Sequence, residues 1–410
     1  MRRAPMPLLS QADLKAAMQR LIQSPLDPAF VQNPYAFYAE VFTGDTIRYW
    51  QDYDMPAIFD AANVQAVLRN RRFGRALPAD RIGPPRPHLA AFDAVEAVSM
   101  LDLEPPDHTR LRGLVLRAFT SRRIKALAPD IHDICDRLIA DLPKGGCNLI
   151  PAFCTALPVR IIARLLGVPA ERCGDLLRWS NAMVAMYQAG RTLEIEHAAN
   201  AAASEFTAFL SDYIDIKRRA PQDDLISHLL LAEENGQKLT RQELIGTCIL
   251  LLNAGHEATV HTMGNAVKAL LEHQTPPQAF TDQNIAATVE EVLRFDPPLH
   301  MFTRYSYEDT EIGDHTIRSG QQVALMLGAA GRDPALCKDP DVFDPFRAPV
   351  PHAAFGGGLH FCVGAPLARL ELQIGLQRLF AARPNLTLSS PPRFANAYHF
   401  HGLERLDVTT

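Results

Sequence analysis

The chain has 410 residues, of which 47% are hydrophobic and 21% charged, and 41 Lys and Arg stand against 46 Asp and Glu for a net charge of −5. This composition excludes a disordered, collagenous or disulfide-stapled chain, and no bulk basic excess marks a nucleic-acid binder. With no internal repeat and no compositional break, one domain over 1–410 is expected, although about 150 residues per domain would suggest more.

The N-terminal run MRRAPMPLLSQADLKAAMQRL carries too short an apolar stretch for a signal peptide, with Asp13 and Lys15 close behind it. Residues 46–50 are a weak strand candidate. Helical periodicity appears at 109–119, 130–141, 203–219 and 223–233. The strongest helix opens at Thr240, where TRQE forms a capping box with Glu243, and continues to about His273, nearly apolar from Leu244 to Ala254. Strands are predicted at 302–307 and 322–327 around the turn-rich IGDHTIRSG. Many helices with a minor antiparallel sheet make a mainly α, α+β protein. The longest stretch without Asp, Glu, Lys or Arg, 348–368, is broken by prolines and glycines and does not suit a membrane span. The seven cysteines are scattered and form no CxxC pair, which suits reduced thiols and a cytoplasmic protein.

One cysteine stands out. In HAAFGGGLHFCVGAPLARLE (352–371), three glycines precede Cys362, and a helical pattern with Pro366 in its first turn follows. The glycines are expected to let the backbone pass close to something flat or bulky. The helix start is expected to favour a thiolate at Cys362. A lone cysteine is more often a buried structural thiol; the surrounding constellation reverses that expectation.

FGGGLHFCVG places Phe355, Gly358, Cys362 and Gly364 on the FxxGxxxCxG pattern, with His360 two before the cysteine. It resembles the haem-binding loop of the cytochrome P450 family. EEVLR (290–294) resembles the family's ExxR helix through Glu291 and Arg294, and AGHEAT (254–259) resembles the oxygen-binding groove of its long central helix. The resemblance implies the P450 fold, a helical bundle around haem b, with Cys362 as the axial thiolate ligand of the iron. It implies a monooxygenase that inserts one atom of O2 into a small, largely apolar organic substrate by hydroxylation or dealkylation. Electrons would come from a separate ferredoxin-type donor and its reductase; neither nucleic acid nor membrane is an expected partner.

By the same resemblance, His108, Arg112, Arg304 and His360 contact the haem propionates, and Phe355, Gly356 and Gly364 shape the haem loop. Glu291, Arg294 and Arg347 form a structural triad. Ala254 and Gly255 open the oxygen groove, and Glu257 helps deliver protons. The family's usual threonine after that acid is here Ala258, followed by Thr259. Thr259 lies about 100° further round the helix, so it does not simply replace the hydroxyl. Either the helix is locally distorted, or a substrate hydroxyl or water serves, or the enzyme is more uncoupled. Substrate contacts are expected from Leu89, Met100, Met183, Met186, Leu299, Met301 and Phe400, with Arg81, Arg86 and His88 available to an acidic substrate. Arg110, Arg117 and Arg369 are candidates for a donor-docking patch. Two other outcomes are a peroxide-using relative, against which Glu257 speaks, and a non-catalytic haem-binding protein.

Overall fold

The computed structural model describes residues 18–188, 191–232 and 236–409. The N-terminal segment read for a signal sequence lies almost wholly outside the described residues, as does residue 233 at the end of one predicted helix.

The main helices are α1 (Ala61–Arg69), α2 (Ala90–Glu96), α3 (Asp107–Ala118), α4 (Ala128–Ala140), α5 (Ala156–Leu166), α6 (Cys173–Val184), α7 (Leu193–Arg219), α8 (Leu225–Leu231), α9 (Arg241–Glu272), α10 (Ile285–Phe295) and α11 (Ala365–Ala382). The centre of the bundle is α9, whose 32 residues span about 48 Å. Its start is fixed as expected: Glu243 N–H donates to Thr240 Oγ1 at 3.2 Å, and Thr240 N–H donates to Glu243 Oε2 at 2.8 Å. The same carboxylate also takes the Arg110 guanidinium of α3. Arg110 is thereby ion-paired at the start of α9. Helices α5, α6, α10 and α11 all pack on α9, so most of its apolar run from Leu244 is buried.

The main sheet has strands β1 (Arg20–Leu21), β2 (Ile47–Trp50), β3 (Met55–Ile58), β4 (Phe73–Gly74), β5 (Met301–Ser306) and β6 (Gln322–Met326), in the order β1-β2-β3-β6-β5-β4. The expected antiparallel pairing holds for β5 with β6, Thr303 opposite Ala324. The sheet as a whole is mixed, because β3 pairs with β6 in parallel, as β1 does with β2. Parallel pairing needs a long crossover, which local periodicity does not reveal. IGDHTIRSG is more than a turn, since Thr310–Ile312 and His315–Ile317 form their own small hairpin. Helix α7 begins at Leu193, ten residues before the predicted start at 203, because Thr192 caps it through Ile195 N–H. The helix–sheet junction is where α9, the loop ahead of α11 and the start of β5 converge.

Candidate active site

A cavity of about 460 Å³ lies between α9 and the loop 355–364, closed by the chain before β5 and by His399 and Phe400. Leu250, Leu299, Phe302 and Phe400 make it largely apolar.

Cys362 lines this cavity and is exposed to it; all seven cysteines are free. Its amide donates to Phe355 O at 3.0 Å. Burial pushes the Cys362 thiol up, while the Gly364 and Ala365 amides and the charges of Arg112 and Arg369 pull it down. The amides at the helix start favour the thiolate, as expected, while burial opposes it more strongly, so a bound metal ion is what would displace the proton.

The loop's shape is fixed by protein. Arg369 forms a fork on Glu290, with Nε 2.6 Å from Oε1 and Nη2 2.9 Å from Oε2, and its guanidinium covers the Phe355 ring at 4.4 Å. His352 Nε2 lies 3.0 Å from Oε2 of the same carboxylate. Arg369 is therefore ion-paired, as Arg110 is, while both side chains stay partly exposed. Gly356 and Gly358 have φ of 69° and 63°. A Cβ on Gly358 would strike the Leu68 carbonyl at the end of α1, and one on Gly356 would lie 3.2 Å from the Phe302 ring. Phe355 and Gly364 line the cavity, but Gly356 does not. The glycines are needed for left-handed backbone and for packing against α1 and Phe302, not to face a flat group in the cavity. Gly358→Ala is accordingly expected to cost at least about 2 kcal/mol, measured by chemical denaturation.

One end of the cavity is rich in cations. His108, on α3, is 1% exposed and packs its ring on His360 at 4.5 Å between centroids. Burial, aided by His360 and Arg112, lowers His108 to about 4. His360 Nε2 lies 3.0 Å from Glu104 Oε1, which also accepts the Arg75 amide at 2.6 Å. The Arg75 guanidinium pairs with Asp102 at 2.9 Å. Arg112 donates to Phe361 O at 2.7 Å and Arg304 to Thr303 O at 2.8 Å. Neither arginine has an ion pair among the described residues. Arg304 sits just behind the wall formed by Phe302 and Thr303, and burial lowers it to about 10. Three arginines against Glu104 and Asp102 leave one positive charge for an anionic group, and the two imidazoles add hydrogen-bonding nitrogens beside it. Glu104 and Arg75 escaped sequence reasoning, because an isolated loop residue carries no spacing signal.

Along α9, Leu250, Ala254 and Ala258 stack at i, i+4 and face the cavity, with Ala254 exposed to it. Gly255 also lines the cavity, at its flank, where a Cβ would stand 3.7 Å from Ile162. The helix is α throughout, so of the three alternatives at Ala258 a local distortion is not the one seen. Thr259 lines the cavity, but its hydroxyl is committed to Gly255 O at 2.9 Å. Glu257 also lines it, with Oε1 3.0 Å from His261 Nε2, one turn on. Burial would raise Glu257, but the hydrogen bond and charge of His261, with His256, outweigh it and hold the carboxyl below its ordinary value. The i, i+4 spacing of Glu257 and His261 was the signal that could have found this pair.

Away from the cavity, Arg294 Nε and Nη2 donate to Glu291 at 2.7 and 2.8 Å, and Arg294 Nη1 donates to Gly331 O and Pro340 O, both at 2.7 Å. Arg347 Nε reaches Glu291 Oε1 at 3.2 Å. Glu291 and Arg294 are 3% and 1% exposed.

Of the expected substrate contacts, Leu299, Phe400 and Met100 line the cavity. Leu89, Met183, Met186 and Met301 do not. Leu89, Met183 and Met186 belong to the main core, and Met301 packs with the cluster around Trp50. Helix α6 instead turns Val184 to the cavity, and Tyr187 follows it there. Arg86 and His88 pair with Asp93 and Glu196 at 2.6 Å each, and neither these residues nor Arg81 lines the cavity. The polar lining that sequence reasoning missed includes Glu96, which accepts from Tyr187 Oη at 3.0 Å. Burial, then the charge of Asp102, raises Glu96 from 4.5 to about 7. A carboxyl raised on folding is protonated in the folded chain while already ionised in the unfolded one. Its contribution to stability is therefore present below 4.5 and is lost as pH rises to about 7. Glu96→Gln should flatten the melting temperature of the protein across that window.

The cytochrome P450 family model matches residues 183–280 and 285–382. The chain is 37% identical over 394 residues to vitamin D(3) 25-hydroxylase of Pseudonocardia autotrophica, covering 93% of this chain and 94% of that one. It is 36% identical over 392 residues to the biotin biosynthesis cytochrome P450 of Bacillus subtilis (strain 168), covering 93% and 97%. Among solved structures, P450BioI in complex with hexadec-9Z-enoic acid ligated acyl carrier protein aligns with a TM-score of 0.87 and 35% identity, covering 93% of this chain and 99% of that one. Among the described residues, no helix is long and apolar enough to cross a membrane. The thiol, the surplus cations and the small-residue face of α9 gather around one cavity, and the relatives extend over nearly the whole chain, which belongs to the cytochrome P450 family as one of its monooxygenases.

Proposed function

We propose that this chain oxygenates a long, largely apolar organic substrate bearing one polar group. Electrons come from a separate ferredoxin-type donor with its reductase, and the chain works as a single haem b domain in the cytoplasm. The observation that carries this reading is the cavity itself, apolar in bulk, with Cys362 on one wall and the Ala254–Ala258 face of α9 on another.

The residues present fit haem. Cys362 offers a thiol without a disulfide partner, and among the described residues Arg112 and Arg304 have no ion pair and the buried His108 Nδ1 has no hydrogen-bond partner. Cys362 would hold the iron, and Arg112, Arg304, His108 and His360 would serve the two propionates. Bound haem supplies the activation of dioxygen. The protein's share is to exclude water with the apolar wall and to keep a proton-exchanging group at hand. Glu257, hydrogen-bonded to His261, holds and passes that proton, and Ala258 leaves room where a hydroxyl would usually stand.

The polar groups Glu96, Tyr187 and Asn253 are placed to anchor one end of the substrate. The related enzymes named for vitamin D(3) hydroxylation and for an acyl chain on a carrier protein support a long apolar body. The test is a ligand screen by spin-state shift of the ferric Soret band, using fatty acyl and steroid-like compounds, followed by turnover under labelled O2 with a ferredoxin and its reductase. One labelled oxygen in the product is expected; turnover with peroxide alone would overturn the reading. His261→Gln should raise peroxide release per electron, and Ala258→Thr should lower it. If neither changes coupling, another group moves the proton.

A further inference from the structure

Behind the cavity wall lies a second polar cluster that oxygen chemistry does not use. We propose that Asp296, His300 and His401, with the hydroxyl of Tyr35, form a binding site for one Zn²⁺ ion. Asp296 and His300 follow α10, His401 lies near the C-terminus, and Tyr35 comes from the N-terminal part of the chain. Asp296, His300 and His401 are 5%, 0% and 1% exposed.

The spacing suits a tetrahedral ion. Ligands at about 2.1 Å set neighbouring donors about 3.4 Å apart. Asp296 Oδ1 lies 3.6 Å from His300 Nε2 and 3.5 Å from His401 Nε2. Tyr35 Oη lies 3.4 Å from His300 Nε2 and 2.7 Å from Asp296 Oδ1, the one pair that must open on binding. The first three donors all fall within 4.8 Å of one another.

An independent observation points to a missing partner. Both ring nitrogens of His401 are buried without a hydrogen bond, a costly arrangement for a polar side chain. A metal on Nε2 would relieve it. His300 already has the outer support that metal-bound imidazoles take: its Nδ1 lies 2.9 Å from Tyr38 Oη, itself 2.6 Å from Tyr398 Oη. Phe394 fixes the His401 ring by stacking at 3.7 Å. Two carboxylate- or imidazole-bearing stretches thus meet at a mixed nitrogen and oxygen donor set that suits zinc.

The site would brace the substrate cavity without entering it. Leu299, next to His300, and Phe400, next to His401, line the cavity and pair with each other as an isolated β-bridge.

The test uses tag-free, haem-loaded protein, stripped with chelator and titrated with Zn²⁺ alone. One tight zinc per chain is expected after gel filtration, with a rise in melting temperature. His401→Gln and Asp296→Asn should weaken binding at least about 100-fold, and Tyr35→Phe about 10-fold. Zinc-edge absorption on the unaltered protein should show only nitrogen and oxygen neighbours, and it decides the matter even if a variant fails to fold. No tight zinc, equal affinity in the folded variants, or sulfur around the zinc would each overturn the proposal. None of these outcomes bears on the monooxygenase reading, because the measurements follow zinc and not turnover.

Discussion

Arg294→Ala is expected to yield protein that loses haem or does not fold. The guanidinium is 1% exposed and its donors serve Glu291, Gly331 and Pro340 at once. Removing it leaves Glu291 facing only Arg347 and the Asp344 amide, the latter at 2.9 Å. Removing one partner of a buried ion pair costs up to about 3–5 kcal/mol, against a total stability of about 5–15 kcal/mol, and Arg347 at 3.2 Å offsets only part of it. The carbonyls of Gly331 and Pro340 lose their donor in the same step, so the strand-to-loop region leading to Cys362 is released. The check is haem content and the chemical-denaturation midpoint of purified protein. Normally coloured protein of ordinary stability would mean that Arg294 is not what holds these segments.

The second large effect is expected at Cys362. Cys362→Ser removes the soft donor from the cavity wall and substitutes a hydroxyl that stays protonated at neutral pH. Turnover should fall to background, and the carbon-monoxide adduct of the reduced protein should lose the spectral signature of thiolate ligation. Because Cys362 N–H bonds to Phe355 O through backbone, the loop itself survives the exchange. Far-ultraviolet dichroism should therefore stay unchanged while the haem signal changes. A variant that kept the thiolate spectrum would show that another of the seven cysteines holds the iron.

What could be read from the sequence was what depends on local spacing. The capping box at Thr240 and Glu243 specifies the start of α9, because both partners lie within one turn. The pairing of Glu291 with Arg294 needs only helical geometry. Three classes of feature were hidden. The parallel pairing of β3 with β6 joins residues far apart in sequence, and no period encodes it. The role of the glycine triplet depends on Leu68 and Phe302, which sequence adjacency does not reveal. Met183 and Met301 share the apolar character of true cavity residues, so composition could not separate them from Leu299 and Phe400. Charge was the least legible, because Arg110 and Arg369 look like free surface cations until Glu243 and Glu290 are placed against them.

The fork between Arg369 and Glu290 bears on how the protein acquires its cofactor. Phe355 is gripped by that fork, and a nearby carbonyl, Phe355 O, holds the amide of Cys362. The receiving pocket is thus already set when folding ends, and little ordering remains to oppose loading. Burial of Glu290 is outweighed by Arg369 and His352, which hold its carboxyl at about 2. The stabilisation this confers is complete above 4.5 and fades only as pH falls toward about 2. Haem-free chains kept at mildly acidic pH should therefore remain ready to accept porphyrin on neutralisation, without a slow rebuilding of the sulfur-bearing turn.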